Sequence, residues 1–454
     1  MHTSSFNFDL LTKYSTPCPR YTSYPTVPHF TSNFSVNSFR EEAKSSNEDV
    51  SLYIHIPFCK KLCYYCACNM IVTHSEKYMQ EYLQWLFREM DMISELIDDK
   101  RQVVQIHLGG GSPSYLPCEQ LQSLFSHINS RFNIATDCEI SIEVDPRNLT
   151  PDHLPVMAKL GCNRLSMGVQ DLNAQVQQAI NRVYDYEMIA ETFTTARNLG
   201  FHSINVDLMY GLPYQTPQTF AETVEKIVAL NPDRMAIFHY AHVPWMKKHQ
   251  KLIKEDTLPT MAEKWEMFSQ TTQRLQKAGY VHIGLDHFAK ETDSLAQSLQ
   301  AGELHRNFQG YTTNGNVEIY AMGITAISQL NNVYVQNVKT IKEYKTNLSQ
   351  GKLPIFIGRQ MTDDDHLRRD VIMEIMCNNY LEKAYIEKRY GIVFNDYFSK
   401  ALEELVEMEE DGLVILKEDS IKVTEIGRLF IRNIAQKFDY YFIAHSKNTY
   451  SKSM

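Results

Sequence analysis

Residues 55–69 read HIPFCKKLCYYCACN, with four cysteines spaced C-x3-C-x2-C-x-C. Thiols at that density serve a disulfide cluster, a zinc site or an iron–sulfur cluster. The chain has nine cysteines, and Cys18, Cys118, Cys138, Cys162 and Cys377 lie far from one another. An odd, dispersed count in a 454-residue chain speaks against a disulfide framework. Structural zinc ordinarily takes two ligand pairs that approach from different sides. No second C-x2-C or H-x3-H pair follows at a convincing distance, although thiolates suit zinc as well as iron. The C-x3-C-x2-C core offers a third logic: three thiolates from one loop leave one iron of a [4Fe–4S] cubane open to an external ligand.

The elements that must hold this loop alternate in type. Apolar strand-like runs (VSLYIHIP, VVQIHLGGGSP, CEISIEVDP, NRLSMGVQ, SINVDLMYGLP, RMAIFHYAHVP) are separated by amphipathic segments. In the first such segment Tyr82, Leu86, Met90, Ile93 and Ile97 recur at helical spacing behind Ser75, a residue suited to an N-cap. Helices are also expected near 121–132, 153–160 and 188–199. Another is expected after Thr216-Pro217, with Phe220, Val224 and Ile227 on one face and Asn231-Pro232 as its stop. Six strand–helix units in series predict an α/β fold with a parallel sheet, a partial (β/α)6 TIM-like barrel. Each strand ends in glycine or polar residues: His55 and the cysteines, then 109–111, then Glu143 and Asp145, Gln170, Asp207, and finally His239 and Tyr240. Strands often end in polar turns, but six in succession predict one shared site on the barrel face where active sites are built.

Composition sets the bounds. Hydrophobic content of 43% and charged content of 22% belong to a globular chain, and a net charge of −9 gives no general pull toward nucleic acid. MHTSSFNFDL lacks the basic and apolar regions of a signal peptide, and no apolar run approaches a membrane span, so a cytoplasmic protein without membrane insertion is expected.

The cysteine spacing after a first barrel strand resembles the signature of the radical S-adenosylmethionine superfamily, with Cys59, Cys63 and Cys66 matching the three cluster ligands. Tyr65 between the second and third ligands offers a ring to an adenine, and GGGSP offers backbone groups that a bulky side chain would block. The blocks PRYTSYPT, YIHIPFCKKLCYYCACN, EVDPR, NRLSMGVQDLN, INVDLMYGLPYQTP, GLDHFAK, LHRNFQGYTTNG and MGITAIS, in order from residue 19 to about 330, narrow this further. They resemble the oxygen-independent coproporphyrinogen III oxidases, or coproporphyrinogen dehydrogenases. That resemblance implies oxidative decarboxylation of two propionates of coproporphyrinogen III to vinyls, giving protoporphyrinogen IX for haem. It also implies a [4Fe–4S] cluster, a 5′-deoxyadenosyl radical drawn from S-adenosylmethionine, an electron donor such as flavodoxin or ferredoxin, and an electron acceptor that the sequence does not identify. The oligomeric state is not legible; a monomer is the working expectation.

Carried over residue by residue, the resemblance places a first S-adenosylmethionine against Tyr53, Tyr65, Gly110, Glu143 and Ile327. A second molecule would contact Gly111, Ser112, Gln170, Arg182, Asp207 and Ala241. No catalytic side chain is expected beyond these, and Cys68 matches a residue that is not a ligand. Tyr65, Ala67 and Ser112 stand where many relatives have Phe, Gly and Thr, each keeping ring, small size or hydroxyl. A tetra-anionic porphyrinogen needs cations, and Arg20 and Arg306 are the candidates.

Three segments are expected: 1–48, rich in Pro and aromatics without helical period, as a flap over the mouth; 49–360 as the barrel; and 361–454 as a mainly helical domain. Within the last, DGLVILKEDSIKVTEIGRLFIRNI reads as a hairpin leading into a helix, resembling a winged helix without the basic excess of a DNA reader. The tail KNTYSKSM reads as disordered. Two rivals remain: a haem-binding chaperone of the same fold, which lacks the PRYTSYPT block and the C-x-C ending, and a non-catalytic metal-bearing structural protein.

Overall fold

The computed structural model describes residues 8–444; the extreme N-terminus and the tail KNTYSKSM, on which sequence expectations were placed, lie outside the described residues. Strands β1 (Val50–Ile56), β2 (Val103–Gly110), β3 (Ile134–Val144), β4 (Arg164–Gln170), β5 (Ser203–Tyr210) and β6 (Arg234–His239) are the six expected strands. They lie side by side in chain order, every neighbouring pair parallel. Leu52, Ile54, Ile106, Leu108, Ile142, Met167, Val206 and Ile237 are all fully buried in one core with helix residues such as Leu83 and Leu86. They alternate with half-buried residues that line cavities, Tyr53, His107, Glu143 and Asp207 among them.

The intervening helices form where period and caps predict them. Helix Glu76–Ser94 buries Met79, Tyr82, Leu83, Leu86, Met90 and Ile93, and the Ser75 side chain accepts from Tyr78 N at its start; Ile97 falls beyond its end. Helix Pro217–Ala229 carries a reciprocal capping box between Thr216 and Thr219, with Pro217 in its first turn. Shortening one of these fully buried leucines to alanine would cost about 2–5 kcal/mol.

The sheet is wider than six strands. Hairpin β7 (Tyr280–Gly284) and β8 (His287–Lys290) adds to β6 through an antiparallel β8. On the other side β9 (Glu318–Met322) lies parallel to β1, followed by antiparallel β10 (Ile327–Gln329), β11 (Val333–Asn337) and β12 (Ile355–Gln360). The resulting twelve-stranded sheet runs from β12 to β7 without closing, so the barrel is partial.

The segment read as lacking helical period contains helices Phe8–Tyr14 and Val36–Ser45. Its PRYTSYPT block is anchored to the C-terminal region: Tyr21 and Tyr24 are fully buried, Tyr21 OH donates to Asp439, and Arg432 donates to Pro19 O. With β7, β8 and the helices from Asp363–Asn378 onward, these residues form a second hydrophobic core. The expected hairpin is present as Val414–Leu416 paired with Ser420–Val423, joined by Tyr380–Glu382.

Candidate active site

The cysteine loop leaves β1 and is fastened from several sides. Phe58–Cys59 pairs with Ile71–Val72, Cys66 N donates to Cys63 O, Tyr64 N donates to Ile180 O, and Asn181 Nδ2 donates to Leu62 O. From the loop after β6, Lys247 Nζ donates to Cys68 O at 3.2 Å, His249 Nε2 to Cys66 O at 2.7 Å, and the fully buried Gln250 to Tyr65 O at 2.9 Å. Gln250 also donates to Ala241 O and accepts from Val243 N, which ties that loop to itself.

All nine cysteines are free thiols, so the disulfide reading fails. Among the described residues, no three His, Cys, Asp or Glu side chains converge tightly enough to hold a single ion, whereas zinc draws its ligands onto one point. Cys59, Cys63 and Cys66 stand as separate thiols on the wall of a cleft of about 430 Å³. A cationic pair, buried Arg182 and half-buried Arg147, faces one of them. Arg147 Nη2 lies 3.5 Å and Arg182 Nη1 3.7 Å from Cys63 Sγ, and both guanidiniums also hold Asp145, at 2.6 and 2.9 Å. Burial alone would raise Asp145; Arg182 and Arg147 outweigh it and hold the carboxyl below its usual range. Separate thiols on one loop, with fixed positive charge beside them, fit a polynuclear iron–sulfur group whose ligands are thiolates.

The same cleft is lined by Arg20, Tyr65, Gly110, Gly111, Ser112, Glu143, Gln170, Arg182, Asp207 and Ala241. Tyr53 and Ile327 instead line an adjoining cavity of about 260 Å³, together with Glu143, which borders both. The glycines are close-approach positions: a Cβ on Gly111 would meet the backbone of Pro57 at 2.7 Å, and one on Gly110 would meet the His55 ring. Gly110 N donates to Glu143 Oε2 at 3.3 Å. Gln170 ends β4 in the left-handed region (φ 71°), with its Oε1 buried and unpartnered; Arg182 Nε is likewise buried without a partner. A non-glycine residue held in that conformation leaves an unused acceptor at the cleft. Asp207 is pushed up to about 7 by burial and by Glu143.

A buried acid holds the turn that precedes Ile327. Glu89 accepts from Gly323 N at 2.7 Å, Asn337 Nδ2 at 2.6 Å and the Tyr344 hydroxyl, which fixes the turn between β9 and β10. Burial raises its carboxyl to about 7.

Comparison with known proteins decides what this arrangement belongs to. Residues 53–227 match the radical SAM superfamily and residues 361–430 the HemN C-terminal domain. The oxygen-independent coproporphyrinogen III oxidase of Synechocystis is 43% identical over 98% of this chain and 97% of its own length. That of Escherichia coli K12 is 44% identical over 95% of this chain and 94% of its own. The solved structure of E. coli coproporphyrinogen III oxidase (HemN), a radical SAM enzyme, superposes with a TM-score of 0.92 at 42% identity, covering 96% of this chain and 99% of that one. The chain belongs to the oxygen-independent coproporphyrinogen III oxidase family.

Within that family's frame, several lining residues escaped the sequence reading. Phe308 and Gln309 reach the smaller cavity from the tip of the hairpin His305–Asn307/Gly310–Thr312, and Gln309 Nε2 is buried without a partner. Arg147 was visible in EVDPR but carried no assignment. Arg306 is a departure from expectation. It pairs in register with Tyr311 and stacks over that ring at 4.5 Å, so the structure does not bring it to the lining of either cavity; its Nε and Nη1 are buried without partners. Among the described residues, no helix is long and apolar enough to cross a membrane.

Proposed function

We propose that this chain is an oxygen-independent coproporphyrinogen III oxidase, which converts two propionates of coproporphyrinogen III to vinyls and yields protoporphyrinogen IX for haem synthesis. The observation that carries the reading is the full-length relationship joined to one cleft that gathers three loop thiols, the glycine cradle and the strand-end acids. Relatives that share the whole chain favour this reading over the haem-binding chaperone.

When bound, the [4Fe–4S] cluster and S-adenosylmethionine supply a one-electron cleavage that delivers a 5′-deoxyadenosyl radical to the propionate β-carbon. The propionate would give up a hydrogen atom to that carbon-centred radical, forming 5′-deoxyadenosine, then carbon dioxide, and one electron to an acceptor, to reach the vinyl. The chain's own residues bind and orient. Cys59, Cys63 and Cys66 would hold the cluster, with Arg147 and Arg182 stabilising negative charge at Cys63. Gly110, Tyr65, Glu143, Tyr53 and Ile327 would hold one S-adenosylmethionine. Gly111, Ser112, Gln170, Arg182, Asp207 and Ala241 would contact a second. Arg20, paired with Asp286 at the rim, would meet a substrate propionate; Arg306 would serve a propionate only after leaving Tyr311. Segment 1–48 would act as a flap over barrel 49–360, with 361–454 as a closing domain. A cytoplasmic monomer served by a small electron carrier completes the reading.

The test is an anaerobic assay of the iron-reconstituted chain with S-adenosylmethionine, a strong reductant and coproporphyrinogen III. Vinyl-bearing porphyrin that disappears in Cys63→Ala supports the reading. Iron and 5′-deoxyadenosine without any change in the porphyrinogen would refute the substrate.

A further inference from the structure

The loop that fastens the cysteine segment has an outer face with no role in the cleft. Residues 242–254, HVPWMKKHQKLIK, leave Trp245 74% exposed, Met246 68% and Leu252 58%. Single exposed apolar residues are ordinary; three large ones within eight residues, one of them Trp, are the composition of a recognition patch. Lys248, Lys251 and Lys254 are exposed on the same loop, and Lys247 is half-buried there. Across the clasp, the cysteine loop adds exposed Lys60 and Lys61. Neither residues 55–74 nor residues 242–254 contain an Asp or Glu, in a chain with 54 acids against 45 bases. The next acids in the chain are Glu255, which lies 3.4 Å from His242 at the edge of the patch, and Asp256.

The patch is also fixed to the thiols. Lys247, His249 and Gln250 donate to the carbonyls of Cys68, Cys66 and Tyr65, so Trp245 is two residues, about 7 Å of chain, from a side chain that touches the cysteine loop. Ile253 of the same loop packs with Tyr64 and Tyr65 in a small apolar cluster.

We infer that this lysine-rimmed Trp245–Met246–Leu252 face is the docking surface for an acidic one-electron carrier protein. The inference rests on the proposed function, which requires an electron at the cluster. An acidic partner is steered to a lysine-rich face beside the thiols of a chain whose net charge is −9. Trp245 and Met246 supply the apolar centre and the lysines the rim. Each encounter oxidises the carrier by one electron and reduces the cluster by one, with no bond or proton exchanged at the surface.

The experiment measures binding of two acidic probes, a flavodoxin and a ferredoxin, to the cluster-reconstituted full chain, at low and high salt. Wild type should bind with an affinity that falls steeply with salt. Both Lys248→Glu/Lys251→Glu/Lys254→Glu and Trp245→Ser should weaken binding about ten-fold or more and slow carrier-driven cluster reduction in proportion. Dithionite-driven reduction and the cluster's spectrum should stay unchanged. Undiminished carrier binding in the charge-reversed chain would overturn the inference. So would an equal loss of dithionite-driven reduction, which would make the loop merely structural, or wild-type binding to phosphatidylglycerol vesicles but to neither carrier. Lysine-dependent carrier binding in a chain that makes no vinyl product would sink the proposed reaction and leave the docking surface standing.

Discussion

The Nη1 nitrogen of Arg182 lies 3.7 Å from the sulfur of Cys63 and 2.9 Å from Asp145 Oδ2, so one buried guanidinium couples a loop thiol to a strand-end carboxylate. Asp145 is buried, which alone would raise its carboxyl, and the two guanidiniums hold it below the usual range. Arg182→Gln would leave that carboxylate on Arg147 alone. The expected cost is about 3 kcal/mol, read as a lower urea midpoint, with turnover down at least ten-fold. Arg182→Lys should recover charge but not the fork that reaches Gly168 O and Asp145 together.

Asp207 gives a pH prediction. Burial, reinforced by Glu143, lifts its folded-state pKa to about 7, against about 4 in the unfolded chain. The folded chain therefore holds the proton more tightly. That contribution to stability is fully present below pH 4 and is lost as pH rises through 7. Asp207→Asn removes the titration, so in the cofactor-free protein the variant should gain on wild type between pH 5 and pH 8, by about 2–4 kcal/mol. Urea unfolding at the two pH values checks it; a constant difference would place Asp207 in a more solvated setting.

Gly111→Ala should close the cradle. Its Cβ would fall 2.7 Å from the carbonyl of Pro57, a backbone atom that cannot rotate away. Overpacking of this kind costs about 1–3 kcal/mol. Equilibrium dialysis should show S-adenosylmethionine binding weakened at least ten-fold, while the iron content is retained.

Gln250→Ala should loosen the cysteine loop. The side chain is fully buried and serves three backbone groups, those of Tyr65, Ala241 and Val243. Leaving them unpaired costs about 1–3 kcal/mol. Iron release to a chelator from the reconstituted protein should quicken several-fold, with the thiols themselves intact.

How much of this was legible in the sequence depends on how local the cause is. The six parallel strands, the Ser75 and Thr216 caps and the three-thiol loop follow from period, capping chemistry and spacing within a few residues. The strand β9 that joins β1 pairs Val50 with Glu318, and no local pattern announces a partner so far away. The same holds for Arg147, whose guanidinium reaches Cys63 across 84 positions, and for the clasp of Lys247, His249 and Gln250. Arg306 is a candidate from its charge and its carboxylate-binding fork, neither of which fixes where the side chain sits. It stacks on its cross-strand partner Tyr311 and lines neither cavity, while the tip residues Phe308 and Gln309 line the smaller one. The N-terminal helices were missed because they are short, seven and ten residues, and flank a stretch whose Pro and aromatic content dominates the segment.

The central claim is that this cleft removes hydrogen from the propionate β-carbon. Its most direct test supplies the reconstituted chain, under anaerobic conditions, with coproporphyrinogen III deuterated at that carbon and follows the label by mass spectrometry. Deuterium should appear in 5′-deoxyadenosine in step with vinyl product, and both should vanish in Cys63→Ala. Deoxyadenosine formed without label while vinyl groups accumulate would contradict the account.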